Sequence, residues 1–537
     1  MEQSTYINQM IHSMRIYKKL NRPMEIRTKE KLNSAIRTLE DHSIKIACPL
    51  EKHSILSSSP EAADRYHDAP RSKCELLNSI EIPGKLQNTK GIPNLCFMSL
   101  DFTAFKMNSL IPSLVASFAL ACSLNCNRLM ADDWPHWRGP NGLGSTPTGS
   151  PPAQWTAESI KWKVSLPGKG TSVPIVHQKV IYITSPAEKE DAVMAFDLDG
   201  NQLWQTKLGP ENPPKHRTLA SSCNASPVTD GKQIYVHFKS GNFAALDRQG
   251  KVQWKINLVE KYGSVQLFWD EGASPILTDD LVILPRLHSG ESWVAAFKKK
   301  TGEVVWKHTR NFKVPNENDN GYTTPVLFNY KGKQAVLIWG ADHLTAHDVA
   351  TGVTLWTASG FNPDQTAYWP AIATPAVVGN IAIIPAGRDD RNQARMHGIK
   401  LNGSGDVSST HRVWKREDTG VFVSTPTVYK DKVYLLRHKG QVVCLDPATG
   451  NTLWTGSFPE HRAPYYASPV IANGILYAAR EDGTVLTAKI QDKFEFIAEN
   501  SMNERIIASP VPVGNQLVIR GDQHLFLIAG NANALSK

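Results

Sequence analysis

The sequence has few cysteines and no long hydrophobic run, and each absence excludes a class of protein. Of seven cysteines in 537 residues, only Cys223 and Cys444 lie beyond residue 126. These two have neither the spacing of a zinc site nor that of a disulfide framework. The longest apolar run, Leu110–Leu124, contains Pro112. At about fifteen residues it is short for a membrane-spanning helix.

The positive charge of the chain is not concentrated in one place. The formal net charge is +9, and it is spread along the whole sequence. There is no basic stripe with aromatic residues interleaved, which a nucleic-acid-binding surface requires. We therefore expect no nucleic-acid partner.

The apolar run fits the hydrophobic region of a secretory signal better than a membrane span. We expect residues 107–131 to form a signal-peptide-like segment, with Met107 as the true start, although a buried helix or strand is an alternative. Residues 1–106 are then an over-extended gene model or a disordered extension. The mature chain is expected in the periplasm or outside the cell, with no transmembrane span. Lipid anchoring through Cys122 is a weaker option because the preceding residues match a lipidation box poorly.

A sequence repeat of about fifty residues extends over most of the chain after the apolar run. The segment Ala346–Trp356 (AHDVATGVTLW) recurs as Cys444–Trp454 (CLDPATGNTLW), and altered copies end at Trp204, Trp254, Trp306 and Trp414. In the sixth copy, four short β-rich runs are separated by turn residues, which predicts a four-stranded meander. Helical periodicity is absent from the repeat. A period of this length is typical of propeller blades or solenoid units.

A second marker, a small residue followed by Ser or Thr and then Pro, opens each copy. Seven copies and one degenerate copy are present: Ser172–Pro174, Ala225–Pro227, Ala273–Pro275, Thr323–Pro325, Ala373–Pro375, Ser424–Pro426, Ala467–Pro469 and Ala508–Pro510. The last copy ends after its third strand near Ile528, whereas Trp162 closes a fourth strand before the first marker. Pairing these two segments would close a ring and remove open sheet edges.

The predicted fold is therefore an all-β, eight-bladed β-propeller of four-stranded antiparallel blades, closed by an N-terminal strand that pairs with the C-terminal blade. The expected parts are a lead-in over residues 132–158, the propeller over 159–530 and a tail over 531–537. We expect a monomer.

The pattern Ala-x-Asp-x-x-Thr-Gly-x-x-x-Trp, which Ala346–Trp356 matches fully, resembles the tryptophan-docking motif of quinoprotein-like (PQQ-like) β-propellers. The segment Asp133–Gly142 resembles the opening of secreted PQQ-like repeat proteins common in planctomycete-type bacteria. The resemblance covers about residues 132–530, although copies five, seven and eight depart from the docking pattern. It implies that a set of tryptophans wedges between adjacent blades: Trp162, Trp204, Trp254, Trp306, Trp356, Trp414 and Trp454.

The same resemblance leaves catalysis open. Its dehydrogenases are expected to carry adjacent cysteines, calcium-binding carboxylates and a catalytic Asp, whereas its BamB-like members are non-catalytic. This sequence has no adjacent cysteines, no Cys-x-x-Cys-His segment and no large inserted loops. We expect a non-catalytic binding or scaffold module with no cofactor. The alternative is an oxidoreductase using PQQ and calcium. A weaker alternative is a sensor propeller related to accessory domains of bacterial Ser/Thr kinases, acting in trans because no kinase signature is present.

The loops that lead into the first strands are expected to meet at one end of the channel, where binding residues usually lie. We predict an aromatic-lined funnel there for an envelope protein, a polysaccharide or a small ligand; the alternative is that the aromatic side chains only plug the channel. The candidate ligand-binding residues are His216, Arg217, Asn224, Trp269, Asp270, Glu271, Tyr322, Tyr368, Trp369, Tyr465, Tyr466 and Arg505.

Two acidic segments raise separate questions. Asp270 and Glu271 could act as an acid–base pair, or as calcium ligands with Asn224, but adjacent carboxylates in such a loop are more typical of a solvated turn. The run Arg388–Arg391 is expected to form a solvated loop whose charges pair with one another.

Overall fold

The computed structural model describes residues 133–216 and 218–530 of the chain. These residues fold into eight sheets that follow one another along the sequence, each with four strands of a blade. Two strands precede the first blade, β1 (Ser145–Thr146) and β2 (Ile160–Ser165). The predicted eight-bladed, all-β propeller is therefore confirmed.

Each blade is a meander whose strands run from the channel outward, and blades are numbered in chain order. The strands of blades one to four are β3 (Ile175–His177), β4 (Val180–Ala187), β5 (Glu190–Asp197), β6 (Gln202–Pro210), β7 (Val228–Thr229), β8 (Gln233–His237), β9 (Asn242–Asp247), β10 (Val252–Asn257), β11 (Ile276–Leu277), β12 (Leu281–Arg286), β13 (Trp293–Lys298), β14 (Val304–Thr309), β15 (Val326–Tyr330), β16 (Lys333–Gly340), β17 (His343–Asp348) and β18 (Thr354–Ala358).

Blades five to eight follow the same plan, except that β22, between the third and fourth strands of blade five, joins the sheet of blade four. Their strands are β19 (Ala376–Val378), β20 (Ile381–Ala386), β21 (Arg395–Lys400), β22 (Gly405–Asp406), β23 (Arg412–Arg416), β24 (Thr427–Tyr429), β25 (Lys432–Leu436), β26 (Gln441–Leu445), β27 (Thr452–Ser457), β28 (Val470–Ala472), β29 (Ile475–Ala479), β30 (Thr484–Ile490), β31 (Phe494–Ser501), β32 (Val511–Val513), β33 (Gln516–Arg520) and β34 (His524–Ala529). Within the described residues the one α-helix is α1 (Leu258–Tyr262), and 3-10 turns occur at Ala157–Ser159 and Asp389–Arg391.

The eighth blade is built from both ends of the propeller. Strand β2 pairs antiparallel with β34, which places Trp162 opposite Leu527 as the sequence predicts. The indole N–H of Trp162 donates to the carbonyl oxygen of Leu198 in blade one, at 3.0 Å. The strand that completes blade eight therefore also fastens it to blade one.

At five blade interfaces a tryptophan from one blade reaches a turn of the next blade. In each of them the indole N–H donates, at 2.7–3.2 Å, to a backbone carbonyl between the third and fourth strands of the next blade. The donors are Trp162, Trp204, Trp254, Trp306 and Trp356. In the turn after β17, Asp348 accepts from the backbone N–H and the hydroxyl of Thr351. Gly352 has a φ of +72°, and a Cβ there would lie 2.6 Å from the Trp306 indole, so the turn can receive the wedge only as glycine.

Two wedges depart from this pattern. The indole nitrogens of Trp414 and Trp454 are buried and have no hydrogen-bond partner among the described residues. Trp454 packs on Tyr434 and Phe494 instead.

The Ser or Thr of the first-strand marker links neighbouring blades around the channel. The backbone N–H at this position donates to the hydroxyl at the same position of the next blade, at 2.9–3.1 Å, in six successive links from Val173 through Ser226, Ser274, Thr324, Thr374 and Thr425 to Ser468. We call this series the hydroxyl belt. The hydroxyl belt begins at the degenerate marker Ser172–Pro174, because Val173 can donate its backbone N–H but has no side-chain hydroxyl to accept one.

The lead-in segment, residues 133–158, covers one end of the channel. First strands begin at one end of the ring, the mouth, and finish at the other, the floor. At the floor, Trp134 bridges to Val176 in blade one, and β1 pairs parallel with β28 in blade seven. The buried Arg138 donates to the carbonyl oxygens of Pro426 and Pro469, in blades six and seven. The lead-in thus connects blade one with blades six and seven, and the mouth is the end it leaves uncovered.

No helix in the described ranges is long and apolar enough to cross a membrane. The predicted signal-like segment, the N-terminal extension, the tail after residue 530 and Arg217 lie outside the described residues.

Candidate functional site at the channel mouth

The loops that lead into the first strands carry the predicted site residues at the mouth, together with the turns between second and third strands. These residues do not form one funnel wall. Some of them expose an aromatic ring to solvent, whereas others are buried in contacts between blades.

Three rings form a cluster at the mouth between blades two and three, which we call the aromatic cluster. It consists of His216, Phe268 and Trp269, with ring centroids 4.5–5.6 Å apart. Phe268 is 49 % exposed. Burial lowers the pKa of His216, so its ring is neutral at neutral pH. Exposed contiguous aromatic rings are typical of interaction sites.

Asp270 and Glu271 are buried, so the expectation of a solvated turn is wrong. Asp270 lies 2.7 Å from the Lys239 ammonium and accepts from the backbone N–H of Lys215. Glu271 lies 3.1 Å from Nε of Arg286. Burial acts to raise the pKa of Glu271, but Arg286 and His237 outweigh it and the pKa is lowered. The cationic partners belong to β12 and the β8–β9 turn, and they hold both carboxylates in place.

The same residues do not fit a calcium site. Each carboxylate already faces a cationic side chain, which would repel a divalent ion bound to the same oxygens. The side-chain oxygen of Asn224 accepts from Thr171 and from the backbone and hydroxyl of Ser221. Among the described residues there is no group of three or more His, Cys, Asp or Glu arranged to hold a metal. We derive no chemical step through calcium or a quinone at this place.

The aromatic residues leading into blades four and five divide into buried and exposed members. The hydroxyl of Tyr322 accepts from the backbone N–H of Trp269, and burial raises the pKa of this phenol. Trp369 is buried, with the Arg395 guanidinium 4.9 Å from its ring centre. Tyr368 is 38 % exposed. Only Tyr368 of these three presents a large ring surface to solvent.

The residues leading into blades seven and eight are largely structural. Tyr465 is buried and stacks on Phe458, whereas Tyr466 is half-buried beside His438. Arg505 forms ion pairs with Glu481 at 3.0 Å and with Asp522 at 3.3 Å.

A loop from blade two reaches over the mouth. Lys215 and His216 in this loop contact backbone oxygens of Leu267 and Phe268 leading into blade three. The carbonyl oxygen of Thr218 accepts from Lys169 and from Arg505, which lead into blades one and eight. Burial lowers the pKa of Lys169 to about 8. The loop therefore spans from blade three to blade eight and narrows the opening.

The run Arg388–Arg391 was expected to be a solvated loop with paired charges, and the structure agrees only with the pairing. The predicted self-pairing is present, because Arg388 lies 2.7 Å from Asp390. The expectation of solvation is wrong, since Arg388 and Asp389 are each 8 % exposed. Asp389 accepts backbone N–H bonds from Phe422 and His438, and so joins the loops of blades five and six.

Sequence reasoning missed Phe268, Lys169 and Thr218. Phe268 directly precedes the predicted Trp269, so an aromatic pair in one loop was an available signal. No local signal marks Lys169 or Thr218, because their contacts join distant segments.

The repeat, the docking turns and the channel find their counterpart in a known family. Residues 154–284 and 270–496 match the family model described as outer membrane protein assembly factor BamB, a PQQ-repeat model. The chain belongs to this BamB-like family. The BamB of Yersinia pestis is 22 % identical over 339 residues, which cover 62 % of this chain and 78 % of that protein.

Dehydrogenases share the fold with this BamB-like chain. Subunit 1 of the cytochrome c methanol dehydrogenase from Methylorubrum extorquens is 31 % identical over 160 residues, but these cover only 26 % of this chain and 23 % of that protein. A europium-containing methanol dehydrogenase structure superposes with a TM-score of 0.57 at 12 % identity, covering 74 % of this chain and 98 % of that one. At this identity the superposition shows the fold alone.

Proposed function

We propose that this chain is an exported, non-catalytic β-propeller that binds a protein of the cell envelope through its channel mouth. The observation that carries the proposal is the aromatic cluster, in which the exposed Phe268 ring contacts the partly exposed rings of His216 and Trp269, at the end of the propeller that the lead-in leaves open. Aromatic side chains dominate the binding energy of protein interfaces.

Two further points support a binding role. Three relatives that match over most of their own length are named outer membrane protein assembly factors. Their names favour an envelope protein as the partner over a glycan or a small ligand. The carboxylates of Asp270 and Glu271 are paired with Lys239 and Arg286. A general base must reach a substrate proton, and these carboxylates are committed to other contacts.

A photo-crosslinking amino acid at Phe268 tests the proposal, with the same residue at Phe496 as a matched control. Phe496 is 43 % exposed but lies on the outer strand of blade seven. We expect the variant at 268 to give a discrete crosslinked envelope protein that Trp269→Ala abolishes. The proposal is wrong if crosslinking at 268 is no more specific than at 496.

The oxidoreductase alternative is tested on the purified chain with PQQ and calcium. We expect no rise in melting temperature on adding both, because a ligand that binds the folded state stabilises it. A reduced-quinone absorbance with an alcohol substrate would overturn the non-catalytic assignment.

A further inference from the structure

A groove of about 330 Å³ lies on the outer wall of blade four, away from the aromatic cluster. Its lining includes Phe312, His343, Thr357, Ser359, Asp406 and Ser408. The volume is at the lower end of the range of small-ligand pockets, roughly 300–1,000 Å³. None of the residues predicted to bind a ligand at the mouth lines this groove.

The groove exists because blade five departs from the repeat. Its turn between third and fourth strands is extended, and β22 within this turn pairs parallel with β18, placing Trp356 opposite Gly405. The backbone N–H of Ser359 then donates to the hydroxyl of Ser408 at 2.8 Å. The insertion thus runs along the outer edge of blade four and forms the second wall.

The two walls differ in chemistry. On one side, the rings of Phe312 and His343 stack face to face, with centroids 3.9 Å apart and planes 7° from parallel. On the other side are the hydroxyls of Ser359 and Ser408, 3.0 Å apart, and the exposed carboxylate of Asp406.

The charges around the groove restrict what it can hold. Hydrogen bonds from the Ser408 hydroxyl and backbone N–H lower the pKa of Asp406, so it is ionised at neutral pH. Burial lowers the pKa of His343, which leaves its ring neutral there. No Lys or Arg is among the lining residues, but two guanidinium groups lie behind them: Arg310, 5.1 Å from the Phe312 ring centre, and Arg412, which donates to the Ser359 carbonyl oxygen. Both are tied to the protein, whereas the ionised Asp406 is exposed at the groove, so a phosphate or a carboxylate would meet repulsion from Asp406 there.

We propose that this groove binds a neutral saccharide unit. A sugar offers hydroxyl donors to a carboxylate, further hydroxyls to serine side chains, and a C–H face to aromatic rings; this groove presents all three complements side by side. The groove shares no residue with the aromatic cluster and would give the propeller a glycan contact in addition to the proposed protein contact.

Isothermal titration and saturation-transfer NMR of the whole chain test this proposal, with cellobiose, maltose and N,N′-diacetylchitobiose as ligands and digalacturonate as the anionic comparison. We expect millimolar binding of at least one neutral disaccharide and none of digalacturonate. Asp406→Asn should weaken the neutral sugar about tenfold, since it removes a hydrogen bond to a charged group. The same variant should reduce the discrimination against digalacturonate. Phe312→Ala should abolish binding.

Two control variants keep the test specific. Phe496→Ala and Asp279→Asn change exposed residues on other blades and should leave sugar binding unchanged. Because Asp406 is exposed, its variant remains informative if Phe312→Ala fails to fold. Absence of binding to all three neutral sugars, or stronger binding of digalacturonate, overturns the proposal. Sugar binding that is lost in Trp269→Ala but kept in both groove variants overturns it too, and would place the sugar at the mouth.

Discussion

Replacing Thr374 by Val isolates one link of the hydroxyl belt. The Thr374 hydroxyl accepts the backbone N–H of Thr324 at 3.1 Å, and its own N–H donates to Thr425. Val keeps the shape of Thr and the second bond but removes the acceptor. Thr374 and Thr324 are each 5 % exposed, so water cannot easily replace the lost partner. Leaving a buried donor unsatisfied costs about 1–3 kcal/mol.

The assay is urea denaturation of the variant beside Thr309→Val, which makes the same chemical change at an exposed position on β14. We expect the free energy of unfolding of Thr374→Val to fall by that amount, seen as a lower urea midpoint at an unchanged slope. Thr374→Ser should recover most of the lost free energy. Surface substitutions usually stay within about 0.5 kcal/mol. A Thr374→Val variant as stable as the Thr309→Val control would refute the role of the belt.

Three further predictions concern other contacts. Trp356→Phe should destabilise the chain more than Trp414→Phe by about 1 kcal/mol in the same assay, because both indoles are buried but only Trp356 has an acceptor; equal losses would contradict the docking bond. Burial raises the pKa of Asp191 to about 6. Because the pKa is higher in the folded state than the unfolded value of 3.8, the protonated carboxyl stabilises the fold at low pH, and this stability is lost as pH rises through about 6. Asp191→Asn should therefore make the melting temperature less dependent on pH between these two values. Arg138→Met should remove the bonds to Pro426 and Pro469 and increase proteolysis of the lead-in relative to an Arg462→Met control; unchanged cleavage would show that Arg138 does not hold the floor.

The architecture could be predicted because its determinants recur every fifty residues. The Trp356 motif and the Ser/Thr-Pro marker each appear several times, so errors in one copy are corrected by the others. The hydrogen bond of the marker hydroxyl could not be predicted from the sequence, because its partner lies one blade away. Only the register of neighbouring first strands brings the Thr324 N–H beside the Thr374 hydroxyl.

The mouth was harder to predict because its chemistry depends on contacts between blades. Asp270 and Glu271 look solvated in a loop, and their burial follows from Lys239 and Arg286, which no local pattern connects to them. The extended turn of blade five was visible as a departure from the repeat, but its pairing with blade four required the three-dimensional register.

The composite eighth blade has a consequence for the order of folding. Strand β2 leaves the ribosome long before β34, and its edge groups stay unsatisfied until the last strand arrives more than 350 residues later. Contacts so distant in sequence form slowly. Until β34 is synthesised, β2 presents an unpaired strand edge, which is a template for aggregation.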